Sequence, residues 1–159
     1  MRSRKLNPSP RPSRRRELDL EVKIDGYRAI AVKSEDTVNL FSRTKNSFNS
    51  IFPYIRQALA DLPPGTVVDG EVVGIDENGR PNFNLLQNFR TSASRIQYYV
   101  CDLVCLRNRD ATKLPLIERR ELLKTLSFED KRIKIVDYNW SSLNRLNYSV
   151  RYGGKTRRD

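Results

Sequence analysis

Three ionisable side chains, Glu21, Lys23 and Asp25, alternate with Val22 and Ile24 in the stretch Glu21-Val22-Lys23-Ile24-Asp25-Gly26-Tyr27-Arg28. Alternate residues of an extended strand share a face, so the three are expected to point into one cleft. A lysine amine placed there is a candidate nucleophile. It attacks only when deprotonated. Free lysine titrates near ~10.4, and burial or neighbouring cations lower that value. The competing reading is a β-hairpin in which Asp25-Gly26 is simply the turn between alternating residues. The chain has no histidine. That excludes imidazole acid–base chemistry and His-based triads, and leaves lysine, carboxylates or a metal to carry any catalysis.

Further chemistry-bearing groups follow at spaced intervals. Ser42-Arg43 stands twenty residues beyond Lys23, and the planar fork of an arginine suits two phosphate oxygens at once. Asp69-Gly70-Glu71 brings a glutamate 48 residues beyond Lys23. A carboxylate there can accept two hydroxyl hydrogen bonds or, as an oxygen ligand, bind magnesium. Read alone, the first is a solvated residue at a strand end and the second a turn or bulge.

In order along the chain stand Lys23-Ile24-Asp25-Gly26-Tyr27-Arg28, Ser42-Arg43, Asp69-Gly70-Glu71 and Arg80-Pro81-Asn82-Phe83-Asn84-Leu85-Leu86-Gln87. Tyr98-Tyr99-Val100-Cys101-Asp102-Leu103-Val104 and Pro115-Leu116-Ile117-Glu118-Arg119-Arg120 complete the series. Together they resemble the adenylation (nucleotidyltransferase) domain of ATP-dependent DNA ligases, and most closely the bacterial end-joining ligases of the ligase D type. The resemblance implies an ATP-grasp-like fold, with ATP and Mg2+ as cofactors and nicked or broken double-stranded DNA as partner. It implies Lys23 as the nucleophile that becomes a lysine–AMP, Glu21 at the adenine, Arg28 and Glu71 at the ribose, and Arg43 at the nick phosphate. Asp25 and Glu71 would serve the metal. RNA ligases and capping enzymes share the lysine motif. Capping enzymes lack the Arg80–Gln87 stretch, so an RNA ligase or capping enzyme is the alternative within enzymes. A catalytically inactive nucleic-acid-binding remnant is the alternative from outside them.

The sequence also departs from the family. Cys101 occupies the position where the family has a phenylalanine against the adenine, and a thiol covers much less of a purine than an aromatic ring. Tyr99, two residues earlier and on the same strand face, is expected to take over part of that contact. A later Glu-Gly-x-x-x-Lys element, a Lys-x-Lys element and an oligonucleotide-binding domain are expected from the resemblance, and none follows in the 159 residues. The expectation is a partial adenylation domain, truncated or frameshifted at its C-terminus, that binds ATP weakly and adenylates slowly or not at all. Such a chain would depend on the missing domain or on other end-joining domains.

The elements that must position these residues are short. Leu20–Ile24, Arg28–Lys33 and Thr37–Ser42 read as an antiparallel meander, and Ser50 and Pro53 read as the start of a helix that Pro63-Pro64-Gly65 ends. Thr66–Ile75, Ile96–Leu106 and Arg132–Tyr138 read as strands, with turns at Asp76–Gly79 and Arg107–Asp110. Pro115 is expected to open a helix through Leu126 with Leu116, Leu122, Leu123 and Leu126 facing inward. The total, two helices among about eight strands, is an α+β domain of antiparallel sheets flanked by helices.

Charge sets the boundaries. The net charge is +11, yet seven of the 30 Lys and Arg lie in residues 1–16, without one acid, and four lie in residues 151–159 beside a single aspartate. Residues 17–150 hold nineteen bases against eighteen acids, so the basicity belongs to the ends, where it favours polyanions without specificity. Residues 1–19, with Pro8, Pro10 and Pro12 among arginines, are expected to be a disordered basic tail. Residues 20–138 are expected to form the partial adenylation domain, and 139–159 an atypical basic tail. Cys101 and Cys105 match neither a zinc site nor a redox pair and read as buried thiols. No apolar run of membrane-spanning length and no signal-peptide pattern occurs, so the expected location is cytoplasmic and no membrane partner is expected.

Overall fold

The computed structural model describes residues 24–136. The expected disordered tail 1–19, the basic segment 139–159, Glu21 and Lys23 lie outside the described residues.

Among the described residues six strands form one sheet in the order β2-β1-β3-β4-β5, with β6 beside β4. They are β1 (Tyr27–Lys33), β2 (Val38–Ser42), β3 (Thr66–Gly74), β4 (Ile96–Leu106), β5 (Arg109–Asp110) and β6 (Ile133–Ile135). The helices are α1 (Pro53–Ala58), α2 (Phe83–Gln87) and α3 (Leu116–Lys124). All pairs are antiparallel except β4–β6, so the expected antiparallel sheets are one mixed sheet. The parallel pair follows from connectivity: β4 and β6 are joined through α3, the kind of long crossover a parallel pair needs. Of the expected meander, β1 and β2 pair antiparallel as consecutive neighbours, while most of Leu20–Ile24 lies outside the described residues. β1 sits between β2 and β3, because the α1 segment carries the chain from one flank of β1 to the other. Ile24, expected in a strand, is irregular.

Alternation makes one sheet face apolar. Ala29 and Ala31 of β1, Leu40 of β2, Val68 and Val72 of β3 and Tyr98 and Val100 of β4 are fully buried there. They join Phe52, Ile55, Leu59, Leu86 and Leu123, from α1 to α3 and the segments beside them, in one core. The buried Tyr98 hydroxyl donates to the Ala29 carbonyl at 2.8 Å, and burial holds its phenol well above the usual tyrosine range. On the opposite face Val73, Ile75 and Tyr99 form a second, smaller cluster with Ile24 and Val136.

Two helix readings need correction. Ser50 does not cap α1: Phe52 is the N-cap residue without a side-chain hydrogen bond, and Pro53 supplies the preset first turn. The nearby polar side chain with a structural job is Asn49, whose Oδ1 accepts from the Leu40 N–H at 2.8 Å. In α3, which ends at Lys124 and not at Leu126, Leu123 is buried and Leu122 half-buried, as is Leu126 beyond the helix, but Leu116 is 42% exposed. Arg119, one turn on, takes the inward space: its Nη1 donates to the Leu114 carbonyl at 2.8 Å, and its other nitrogens reach Asp102 of β4. The turn expected at Arg107–Asp110 is shorter. Arg107 and Asn108, both with positive φ (49° and 64°), close a two-residue hairpin, and Arg109–Asp110 already pair with β4. No helix among the described residues is long and apolar enough to cross a membrane.

Candidate active site

The two Asp-Gly pairs are not hairpin turns. Among the described residues only Gly65 and Gly79 are glycines with positive φ. Gly26 lies just before β1 and Gly70 in the middle of β3. A Cβ on Gly26 would land on the Val72 carbonyl oxygen, and one on Gly70 on the Tyr99 carbonyl oxygen, with the Tyr98 ring 2.8 Å away. Glycine is needed at both because backbone passes backbone too closely for a side chain.

That closeness joins the separate motifs. The β1–β3 register sets Arg28 opposite Glu71, and the β3–β4 register sets Glu71 opposite Tyr99. Arg28 reaches along its face to Asp69 in a two-pronged ion pair, Nε to Oδ1 at 3.1 Å and Nη2 to Oδ2 at 2.6 Å. The Asp69 carboxylate, by hydrogen bond and by charge, raises the guanidinium above its ordinary range. The Arg28 side chain is still 57% exposed, so the pair holds the guanidinium in place at an open surface. Glu71 is half-buried, and burial pushes its carboxyl above the usual glutamate value. The backbone N–H of Gly26 donates to it and opposes that shift, while Asp69 and Asp25 add to it. Thus Gly26 is tied directly to Glu71, and Asp25 acts on the same carboxyl through its charge.

Tyr99 is nearly buried against Val73, Ile75, Ile24 and Val136, and its hydroxyl donates to Gln97 Oε1 at 3.2 Å. Cys101 lies beyond it, with Sγ donating to the Tyr99 carbonyl at 3.5 Å. Both cysteines are outside any disulfide and half-buried rather than fully buried. Arg43 is exposed in a tight turn after β2. There Lys45 has a positive φ of 64°, and Ser42 Oγ accepts from the Asn46 N–H at 3.0 Å.

The structure therefore brings together Arg28, Glu71, Tyr99 and the Asp25–Gly26 backbone, and sets Arg43 on its own exposed turn. Sequence reading gave Asp69, Asp102 and Arg119 no role. Each stood inside a motif, and the signal was the charge pairing: Arg28 with Asp69, and Arg119 Nε and Nη2 with Asp102, both at 2.8 Å. The second pair bolts α3 to β4 where the ladder slips, between Asp69 and Gly70 of its neighbour.

No cluster of three or more metal-ligating side chains exists among the described residues. The carboxylates of Asp25 and Glu71 still suit Mg2+, which is usually held by one or two carboxylates and by phosphate oxygens of its nucleotide.

Comparison with known proteins supplies independent findings. A sequence profile of the ATP dependent DNA ligase domain matches residues 11–147. The chain is 32% identical over 120 residues to the SPbeta prophage-derived DNA ligase-like protein LigB of Bacillus subtilis, covering 74% of this chain and 44% of that one. To the multifunctional non-homologous end joining protein LigD of Mycolicibacterium smegmatis it is 33% identical over 108 residues, covering 67% of this chain and 14% of LigD. The crystal structure of the ligase domain of M. tuberculosis LigD superposes with a TM-score of 0.63 at 30% identity, over 74% of this chain and 39% of that domain. The chain thus spans less than half the length of each.

Proposed function

Since the chain belongs to the ATP-dependent DNA ligase domain family, we propose that it carries the nucleotide-binding side of an adenylation site, with Lys23 as the group that accepts AMP. The deprotonated Lys23 amine attacks the α-phosphorus of ATP. An N–P bond forms, the P–O bond to the β-phosphate breaks, and pyrophosphate leaves. AMP then passes from Lys23 to a DNA 5′-phosphate, and a 3′-hydroxyl attacks that phosphate to seal the strand and release AMP. The observation that carries this reading is the convergence of Arg28, Glu71 and the Asp25–Gly26 backbone, which begins two residues after Lys23 in the sequence.

Each group has work suited to its chemistry. Arg28 offers donors to ribose oxygens and Glu71 accepts from ribose hydroxyls. Glu21 receives the adenine amine, and Tyr99, with Val73, forms an apolar wall for the base. Arg43 grips the phosphate at the nick, where a planar fork matches two oxygens. Asp25 and Glu71 would hold Mg2+ against the phosphates, and the ion would supply neutralisation of the charge that develops there. Further cationic groups on the triphosphate would come from the part of a ligase domain that these residues do not span. The substrate is nicked or broken duplex DNA in a cytoplasmic end-joining repair role, and comparing nicked DNA with nicked RNA separates this reading from an RNA ligase.

The direct test is intact-mass spectrometry after incubation with ATP and magnesium. A gain of one AMP, about 329 Da for a phosphoramide, is expected in the chain and absent from Lys23→Ala. No gain in a folded chain overturns adenylation by this chain.

A further inference from the structure

The Arg80–Gln87 stretch has no chemical role in the adenylation just described, yet its helix is fixed with unusual closeness beside the site. The Asn82 N–H donates to the Gly74 carbonyl at 2.7 Å, and a Cβ on Gly74 would lie 2.7 Å from both the Asn82 carbonyl oxygen and the Leu85 Cβ. Leu86 is buried in the core, and the Asn82 side chain caps α2 by accepting from the Asn84 N–H at 3.0 Å. So α2 is seated on the end of β3, three residues past Glu71. From that seat Phe83 extends while remaining 41% exposed. It meets Tyr27 edge to face, with centroids 5.3 Å apart and planes at 78°. Phe48, in the segment after the Arg43 turn, holds the Tyr27 ring from another direction at 6.1 Å. Phe48 in turn packs on the buried Phe52 at 5.4 Å.

Tyr27 follows Gly26 directly. Gly26 is pressed on the Val72 carbonyl and gives its N–H to Glu71. We infer that α2 is a brace for the segment that follows the nucleophile: Phe83 and Phe48 grip Tyr27, and the grip fixes the direction of residues 24–26 beside Glu71. Phe83 and Phe48 are positioning residues, acting through Tyr27 and Gly26 on the placement of Lys23. A half-exposed phenylalanine adds little to the core, so its rigid seating has a geometric consequence instead. The inference rests on Lys23 as nucleophile only in its kinetic part. Bound geometry within fractions of an ångström matters to attack, and a misplacement of about 1 Å can cost 10²-fold.

The experiment compares the 159-residue chain with Phe83→Leu, which keeps apolar bulk without an aromatic edge, and Phe83→Tyr, which keeps the edge. Adduct formation with ATP and magnesium is followed by intact mass across ATP concentrations, with a thermal melt of each variant. Phe83→Leu is expected to slow adduct formation at saturating ATP by about tenfold or more, with the half-saturating ATP concentration unchanged. Phe83→Tyr is expected to keep the wild-type rate. Equal rates in wild type and Phe83→Leu overturn the brace, and so does a loss that appears only as weaker ATP binding or as a matching loss of melting temperature. If the wild type forms no adduct, the adenylation reading falls and the brace is read from backbone amide exchange. Gly26 is then expected to exchange at least about tenfold faster in Phe83→Leu, while Ala29 and Ala31 stay protected. An unchanged Gly26 overturns the brace whatever becomes of the nucleotide reading.

Discussion

Two arginine–aspartate pairs of like geometry have unlike settings, and exposure decides what each one does. In the Arg28–Asp69 pair the arginine is 57% exposed, so water stands ready to replace its partner and the pair adds little stability. Arg119 and Asp102 are less accessible, at 18% and 29%, and Arg119 also holds the Leu114 carbonyl. Asp102→Asn is therefore expected to lower the urea midpoint more than Asp69→Asn, whereas Asp69→Asn, by releasing Arg28, is expected to weaken ATP binding more. The acid side of stability has its own residue. Hydrogen bonds from Arg132 hold the Asp130 carboxyl down to about 2, below its ordinary 3.8. An acid depressed by folding stabilises the fold above its unfolded value and loses that contribution as pH falls through the folded one. In melts from pH 6 to pH 2, the wild type is expected to lead Asp130→Asn above about pH 4, with the lead shrinking towards pH 2.

Strands and helices here depend on where side chains are forbidden as much as on where they pack. Gly70→Ala would drive a methyl into the Tyr99 carbonyl and the Tyr98 ring, at the most crowded strand pair. A loss of about 3 kcal/mol or more is expected in urea unfolding, at the upper end of overpacking costs. Gly79→Ala meets no atom within 4 Å and bears only the strain of a φ of +75°, about 1–2 kcal/mol. In α3 the two faces separate in the same way. Leu123→Ala is expected to cost about 2–5 kcal/mol as a core truncation, and Ile117→Ala, at 71% exposure, less than about 0.5 kcal/mol.

At the scale of the whole molecule the charge and the site are separate. Removing residues 1–16 takes away seven cations and no acid. The salt dependence of duplex DNA binding is expected to flatten, by up to about 0.9 in log–log slope for each DNA phosphate that the shortened chain no longer neutralises. The rate of Lys23 adduct formation should stay unchanged. The sequence by itself determined the motif order, the strand β4 to the residue, the strand β3 to within one residue, and the class of the fold. These features are local: alternation, turn residues and the spacing of reactive groups are written in neighbouring positions. It also pointed to Arg28, Glu71 and Tyr99 as companions, but only by resemblance. The tertiary structure alone decided that Asp25-Gly26 and Asp69-Gly70 are close backbone crossings and not turns, because that depends on which strand lies alongside. It decided that β6 is parallel to β4, since the direction of a strand follows from the path of the crossover before it. It decided as well that Arg28 is held by Asp69 and Tyr27 by Phe83, partners 41 and 56 residues apart. No local pattern encodes such pairs; they exist only once the strands between them have found their register.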